Sequence, residues 1–269
     1  MGTATVEITL SADVLPALFS GHNGWQLPSG CLALSTTTTV KPFLTANKVL
    51  HSRVWFLASS GEAVARVRSR TGTDSYQKFY WVTAEGVRRI RLQPAGPDEF
   101  GLPPEQWTDR EESFYPRPPQ LTSMVPVSEP SLLFFHLTAQ PTDCRIGSTL
   151  TVFNKKQFLQ VRLASLDADA AEIQLPGNNL LGKNQPSPVH GIRLVSRPLN
   201  EATEEREEFS FLGLKGEISM VVDDASGIPL HISGSLPTLG RIHFKLKEAI
   251  TSVTAANPVN SGHTSSIRK

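Results

Sequence analysis

Between Glu62 and Arg70 the chain alternates residue by residue: Ala63, Ala65, Val67 and Ser69 fall on one side, Val64, Arg66, Arg68 and Arg70 on the other. A period of two is the signature of a half-buried β-strand. The same beat returns in Arg241–Lys247, where Ile242, Phe244 and Leu246 oppose Arg241, His243, Lys245 and Lys247. Prolines, 20 in 269 residues beside 19 glycines, punctuate the chain. Proline fixes φ and has no amide hydrogen to donate, so this density argues against a helical bundle or coiled coil. A chain of this length buries roughly 70–75% of its unfolded surface without disulfide staples.

Further strands follow from β-branched and aromatic runs bounded by turn residues. Val49–Ala58 is one, and Ser75–Thr83 another. Ala84-Glu85-Gly86 turns the latter back into Val87–Leu92 as a hairpin. The stretch 93–119 is a proline-rich connection with one polar strand candidate, Thr108–Phe114. Leu150–Phe153 and Phe158–Leu166 form a hairpin around Asn154-Lys155-Lys156, and Glu172–Leu175, Ile192–Val195 and Phe209–Leu212 are shorter candidates. Glu217–Val222, Pro229–Ser235 and Arg241–Lys247 complete a three-strand meander. The one helix expected is apolar, about residues 129–139. Ser128 is its N-cap candidate, Pro130 sits harmlessly in its first turn, and Pro141 stops it.

Residues 1–45, extended or looped at the Ser- and Thr-rich 35–39, are expected to be an extension packed on the core, as an edge strand, or to be partly disordered. Residues 46–250 are then one β-barrel-like domain, and the Ser-, Thr- and Asn-rich 251–269 a flexible tail. The predicted fold is mainly β: an antiparallel curved sheet closing partly or fully into a barrel, with one short apolar helix covering or plugging it.

Twenty-six Lys and Arg against 25 Asp and Glu leave a formal charge of +1, which gives no global reason to expect a nucleic-acid partner. No apolar run reaches the ~18–20 residues of a membrane span. The N-terminal string lacks a basic region and breaks at Pro16, so it does not read as a secretory signal. Cys31 and Cys144 are expected as ordinary small apolar residues, with a bridge as the alternative.

The strings Ser131–Leu137, Arg145–Thr149, Phe153–Arg162, Gly216–Asp224 and Ile228–Gly234, with Gly61-Glu62-Ala63 upstream, resemble the bacterial domain-of-unknown-function family numbered 3108. The likeness spans residues 50–248. It implies a β-rich, envelope-associated protein of the periplasm or cell envelope, and it carries no catalytic residues. The chain departs from the family in lacking an export signal and in having Thr138 where an arginine usually follows the helix.

Several strings were weighed for chemistry. Gly177–Lys183 has Walker A spacing, but Asn184 replaces the magnesium-binding hydroxyl and Pro186 and Pro188 forbid the helix that would cradle phosphate. No Gly-x-Ser-x-Gly elbow occurs. His231 and His243 lie on adjacent strands, where polar packing outweighs metal binding, and Asp223-Asp224 reads as turn chemistry rather than an acidic dyad. Glu204–Glu208 reads as a solvated acidic loop or edge. No catalytic residue, metal site or cofactor is assigned.

One ligand site is expected. Arg66, Arg68 and Arg70 share a strand face, Arg88, Arg89 and Arg91 stand on a nearby strand, and Tyr76, Tyr80 and Trp81 lie close by. Arginine offers carboxylate or phosphate a bidentate fork. The opposing reading is an exposed face whose arginines pair with Glu111, Glu112 or the 204–208 acids. The function expected is a non-catalytic binding or structural module holding a lipid or glycan, apolar or anionic, with strand addition by a partner protein as a further use of its edges. The alternative is a hydrolase or lyase acting on a polymer through scattered His and acidic residues. Replacing Arg66, Arg68 and Arg70 together by alanine is expected to weaken retention on anionic lipid or glycan arrays with the melting temperature nearly unchanged.

Overall fold

The computed structural model describes residues 3–11, 27–41, 48–72, 74–139, 146–166, 188–199, 208–237 and 239–246. They form two antiparallel meanders in which every strand neighbours the next in sequence. The first has seven strands: β1 (Thr3–Ser11), β2 (Cys31–Lys41), β3 (Lys48–Leu57), β4 (Ala63–Thr71), β5 (Tyr76–Val82), β6 (Gly86–Gln93) and β7 (Asp109–Pro116). The second has six: β8 (Thr149–Asn154), β9 (Gln157–Ser165), β10 (Val189–Pro198), β11 (Lys215–Asp223), β12 (Pro229–Leu236) and β13 (Gly240–Lys245). Between them the chain makes a 3-10 turn, Pro130–Leu132, that runs into helix α1 (Leu133–Ala139).

The mainly β, antiparallel character with one short apolar helix is as predicted. Among the described residues no ladder joins β1 to β7 or β8 to β13, so closure into a barrel is not seen, although β13 comes alongside β1. Within residues 1–45, two strands join the first sheet. β2 pairs with β3 from Cys31↔Leu57 to Val40↔Lys48, and β1 is the edge strand. Phe209–Leu212 makes a single bridge, Phe211↔Leu214, instead of a strand. Glu172–Leu175, the Gly177–Lys183 string, Cys144, Glu204–Glu207 and the 251–269 tail lie outside the described residues.

Pleating divides the first sheet cleanly. On its outer face Ala33, Trp55, Ala65, Val67, Phe79, Trp81, Ile90 and Leu92 form an apolar cluster under Leu27 and Trp107. The connection 93–108 covers this face instead of hanging free. The Glu99 carboxylate ties it together by accepting from the Ala95 and Thr108 amides at 2.9 and 3.0 Å and from the Thr108 hydroxyl at 2.5 Å. These donors hold its carboxyl below the usual range, the hydroxyl first.

The inner face meets α1. Leu132 and Phe135 pack on Leu34, Val54, Phe56 and Ala63, while Leu133, Phe134 and Leu137 pack into the apolar face of the second sheet. Ala63 reaches the inner face because a bulge at Val64 interrupts the alternation: Trp55 pairs with Ala65 but Phe56 with Ala63. The expected N-cap also differs. Glu129, not Ser128, accepts from the Ser131 amide at 2.8 Å. Ser128 instead bridges to Val152 and places its hydroxyl 3.1 Å from Nε2 of His136.

Glycines in left-handed backbone let turns of both sheets touch α1. Gly61 (φ +67°) lies under the His136 ring, and Gly227 (φ +68°) under the Leu137 carbonyl, where a Cβ would overlap backbone. Gly227→Ala is therefore expected to lower stability by about 1–3 kcal/mol in urea unfolding, from strain plus steric conflict. A change within 0.5 kcal/mol would show that the β11–β12 turn is not clamped on the helix.

Candidate functional site: a basic cleft

The register of β4, β5 and β6 decides which predicted site residues meet. Arg66 pairs with Tyr80, Arg68 with Lys78 and Arg70 with Tyr76. On the other side of β5, Tyr80 pairs with Arg89, Lys78 with Arg91 and Trp81 with Arg88. Strands β4 and β6 thus do not pair with each other; β5 lies between them and adds Lys78 to the same row. Arg66, Arg68, Arg70, Tyr76, Tyr80, Arg89 and Arg91 share the inner face as the alternation requires. Trp81 does not. It points to the outer face and is 3% exposed in the apolar cluster there, with Arg88 beside it in register.

This face is not the solvated sheet surface of the opposing reading. Phe153 and Phe158 of the β8–β9 hairpin pack on Tyr80 and Val87. Beside them a cavity of about 600 Å³ opens between the hairpin turn and the first sheet, within the ~300–1,000 Å³ range of small-molecule sites. Seven cationic side chains line it: Arg68, Arg70, Lys78, Arg89, Arg91, Lys155 and Lys156. Asp74 is the only acid in the lining among the described residues. Tyr76, Tyr80, Gln93 and the rim residues Pro94 and Phe100 complete it, and no histidine lines it.

The cations differ in how far the fold engages them. Arg70 pairs with Asp74 and lies over the Tyr76 ring. Arg89, 4% exposed, pairs with Glu111 and donates to Ser113 Oγ at 3.0 Å. Arg91 stands 3.7 Å from the same Glu111. Nε of Arg89 and Nε of Arg91 are nevertheless buried without a hydrogen-bond partner among the described residues. Arg68 has no ion-pair partner among them either. Lys78 lies with Nζ 4.4 Å from the Tyr76 ring centroid, sharing that ring with Arg70. Burial, and then the charges of Arg68, Arg91 and Arg89, bring its ammonium down from 10.5 to about 7, against the weaker opposing pull of Glu111. Burial likewise pushes the Tyr80 phenol up, so it stays protonated.

Arg66 has a different task. It meets Glu129 at 2.8 Å, with side chains 11% and 6% exposed. Its guanidinium also donates to Ser52 Oγ at 3.1 Å and covers the Tyr80 ring. A small void of about 30 Å³ beside this pair, lined in part by Thr36, Thr38 and Asn154, adjoins the cleft at Arg68. Glu111 answers the arginines as anticipated, while Glu112 pairs with Arg110 instead. Of the acidic run only Glu208 is described, and it binds the Gly216 amide at 2.7 Å.

The remaining candidates resolve into structural roles. His231 and His243 stack with ring centroids 5.2 Å apart, and burial and then His243 lower the His231 pKa. No group of three His, Cys, Asp or Glu occurs among the described residues that would hold a metal. Asp223 accepts from the Ser226 amide and hydroxyl at 2.8 and 2.6 Å, which is turn chemistry, and Asp224 pairs with His190 at the surface. No helix among the described residues is long and apolar enough to cross a membrane.

Sequence reasoning missed Lys78, Lys155, Lys156 and Glu129. The first was within reach, since the alternation of Tyr76, Lys78 and Tyr80 places it with the arginines. The others approach only through the tertiary fold. The described residues form an antiparallel two-sheet β protein with a basic, aromatic-lined cleft. Comparison with family models, curated proteins and solved structures gives no match.

Arg66→Ala would leave the Glu129 charge buried and unpaired, so it is expected to cost about 3–5 kcal/mol in urea unfolding. Arg68→Ala should stay within about 0.5 kcal/mol. The triple alanine variant therefore melts lower, contrary to the expectation from sequence, and Arg66 alone accounts for the loss. Equal melting of Arg66→Ala and wild type would contradict this.

Lys78 makes a second prediction. Its pKa is lower folded than unfolded, so between pH 7 and about pH 10.5 the unfolded chain holds the extra proton. Its contribution to stability then rises with pH across that window. Lys78→Met should gain stability relative to wild type at pH 6, and the gain should shrink by pH 10. A gain independent of pH would rule out the depressed amine.

Proposed function

We propose that this protein is a non-catalytic binding module whose cleft holds an anionic ligand carrying phosphate, sulfate or carboxylate groups, such as a lipid headgroup or an acidic glycan. The observation that carries this reading is the seven-cation lining with a single acid among the described residues, including Nε of Arg89 and of Arg91, buried without a hydrogen-bond partner among them. An unpaired buried donor is costly, and a charge-assisted hydrogen bond to a ligand oxygen removes that cost. Tyr76, whose ring both Arg70 and Lys78 approach, lines the same cleft. Of the two ligand chemistries expected from sequence, the anionic one fits this lining and the purely apolar one does not.

The two meanders that pack on α1 support a barrel-like arrangement with the cleft at its mouth, and the resemblance to the envelope family implies a β-rich protein of that compartment. On that reading the protein works in the periplasm or cell envelope. Strand addition by a partner fits poorly at β7, whose exposed Arg110, Glu111 and Glu112 blunt the edge. A hydrolytic role draws no support from the cleft, since the described His–carboxylate pair, His190 with Asp224, does not line it.

The test is calorimetric titration with an anionic glycan or a short-chain anionic lipid. Arg68→Ala with Arg91→Ala should weaken binding at least tenfold, because each charge-assisted hydrogen bond is worth about 1.5–3 kcal/mol. Wild-type affinity should fall as salt rises. Unchanged affinity in a double variant that melts like wild type would refute the assignment.

A further inference from the structure

The cleft has two walls, and they come from different halves of the chain. Arg68, Arg70, Lys78 and Arg91 stand on the first sheet, whereas Lys155 and Lys156 form the two-residue turn between β8 and β9 of the second. Asn154 and Gln157 pair across the ladder on either side of that turn. Lys155 holds φ at +58°, in left-handed backbone. Glycine or asparagine serves that position at less strain, so nothing in the local geometry calls for lysine. A conformation kept against local preference marks a side chain that the surroundings use. Lys155 also reaches the Glu208 carbonyl at 3.3 Å.

Cations on both walls of one cleft offer charge-assisted hydrogen bonds to a ligand from two sides. A single tetrahedral anion is small beside a cavity of about 600 Å³ and can be gripped by one wall only. An elongated ligand with several charged groups can meet both. We propose that the cleft selects a ligand bearing two or more phosphate or sulfate groups, which bridges the sheets by pairing with Arg68, Lys78 and Arg91 on one wall and with Lys155 and Lys156 on the other. This rests on the anion-binding reading above and names its ligand class. The turn lysines supply the selectivity for a second charged group, and the first-sheet cations supply binding common to any anion.

The experiment is isothermal titration of the full chain at one ionic strength with three probes: inorganic tripolyphosphate, a trisulfated heparin disaccharide and orthophosphate. The proteins are wild type, Lys155→Gly, the pair Lys155→Gly with Lys156→Ser, and Arg68→Ala. Wild type should bind at least one polyanion thirtyfold or more tighter than orthophosphate. Preference for tripolyphosphate identifies a linear oligophosphate, and preference for the disaccharide a sulfated sugar. The turn double variant should lose at least tenfold for the polyanion while orthophosphate changes less than twofold, and Arg68→Ala should weaken all probes. Lys155→Gly should also raise the melting temperature, since it relieves backbone strain. A turn variant that binds polyanion like wild type, or equal wild-type affinity for orthophosphate and polyanions, would overturn the bridging proposal and leave the anion cleft standing. A lower melting temperature for Lys155→Gly would assign the lysine to the fold and overturn its assignment to the ligand. Wild type that binds none of the three would overturn both readings.

Discussion

Among the described residues one ion pair has both side chains largely buried, Arg66 with Glu129 at 2.8 Å, and it joins the first sheet to the helical segment. Arg66 belongs to the middle of β4. Glu129 opens the helical segment, and the same carboxylate caps its first turn through the Ser131 amide. A charge this far out of water is tolerated only when its partner is fixed, so the pair sets where the helix begins relative to the first sheet. From that point the apolar helix has residues to offer in two directions, Phe135 toward Phe56 at 4.6 Å and Phe134 toward Phe211 at 5.2 Å. The separation of the sheets beside the helix follows from the size of these rings.

The cleft is a consequence of that separation. Close to Glu129 the arginine row of β4 is neutralised and packed. One pleat further along, Arg68 has lost the helix, and beyond it Arg70 reaches the rim with Asp74. Charge therefore accumulates where packing ends. The cross-strand neighbours make it denser, because Lys78 sits in register between Arg68 and Arg91. Like charges in direct cross-strand contact destabilise a sheet, and the depressed Lys78 amine is the local record of that conflict. The nearest compensating carboxylate in register, Glu111, stands two strands from Lys78, on β7.

Much of this was legible in the sequence wherever one strand sufficed to say it. The alternation of β4 placed Arg66, Arg68 and Arg70 together, and the Glu85-Gly86 turn paired β5 with β6. It failed where a second layer decides. Trp81 was grouped with Tyr80 because they are adjacent, although adjacent strand residues face opposite ways. The arginine face was expected either to meet solvent with its acids or to form an open patch, since nothing in Lys155-Lys156 announces which sheet the turn approaches. The bulge at Val64 breaks the period by one residue and cannot be seen from hydrophobicity, because alanine and valine suit either face. Closure depends on contacts between strands distant in sequence, and the pairings give two open sheets.

The central claim is that the cationic row and the hairpin turn enclose an anion. The most direct test is electron density from crystals grown with saturating tripolyphosphate. The account predicts an anion between the β8–β9 turn and β4–β6, with oxygens within 3.5 Å of Arg68 and Arg91 on one side and of a turn lysine on the other. A cleft without bound anion in such crystals, or one bound only at the outer surface, would contradict it.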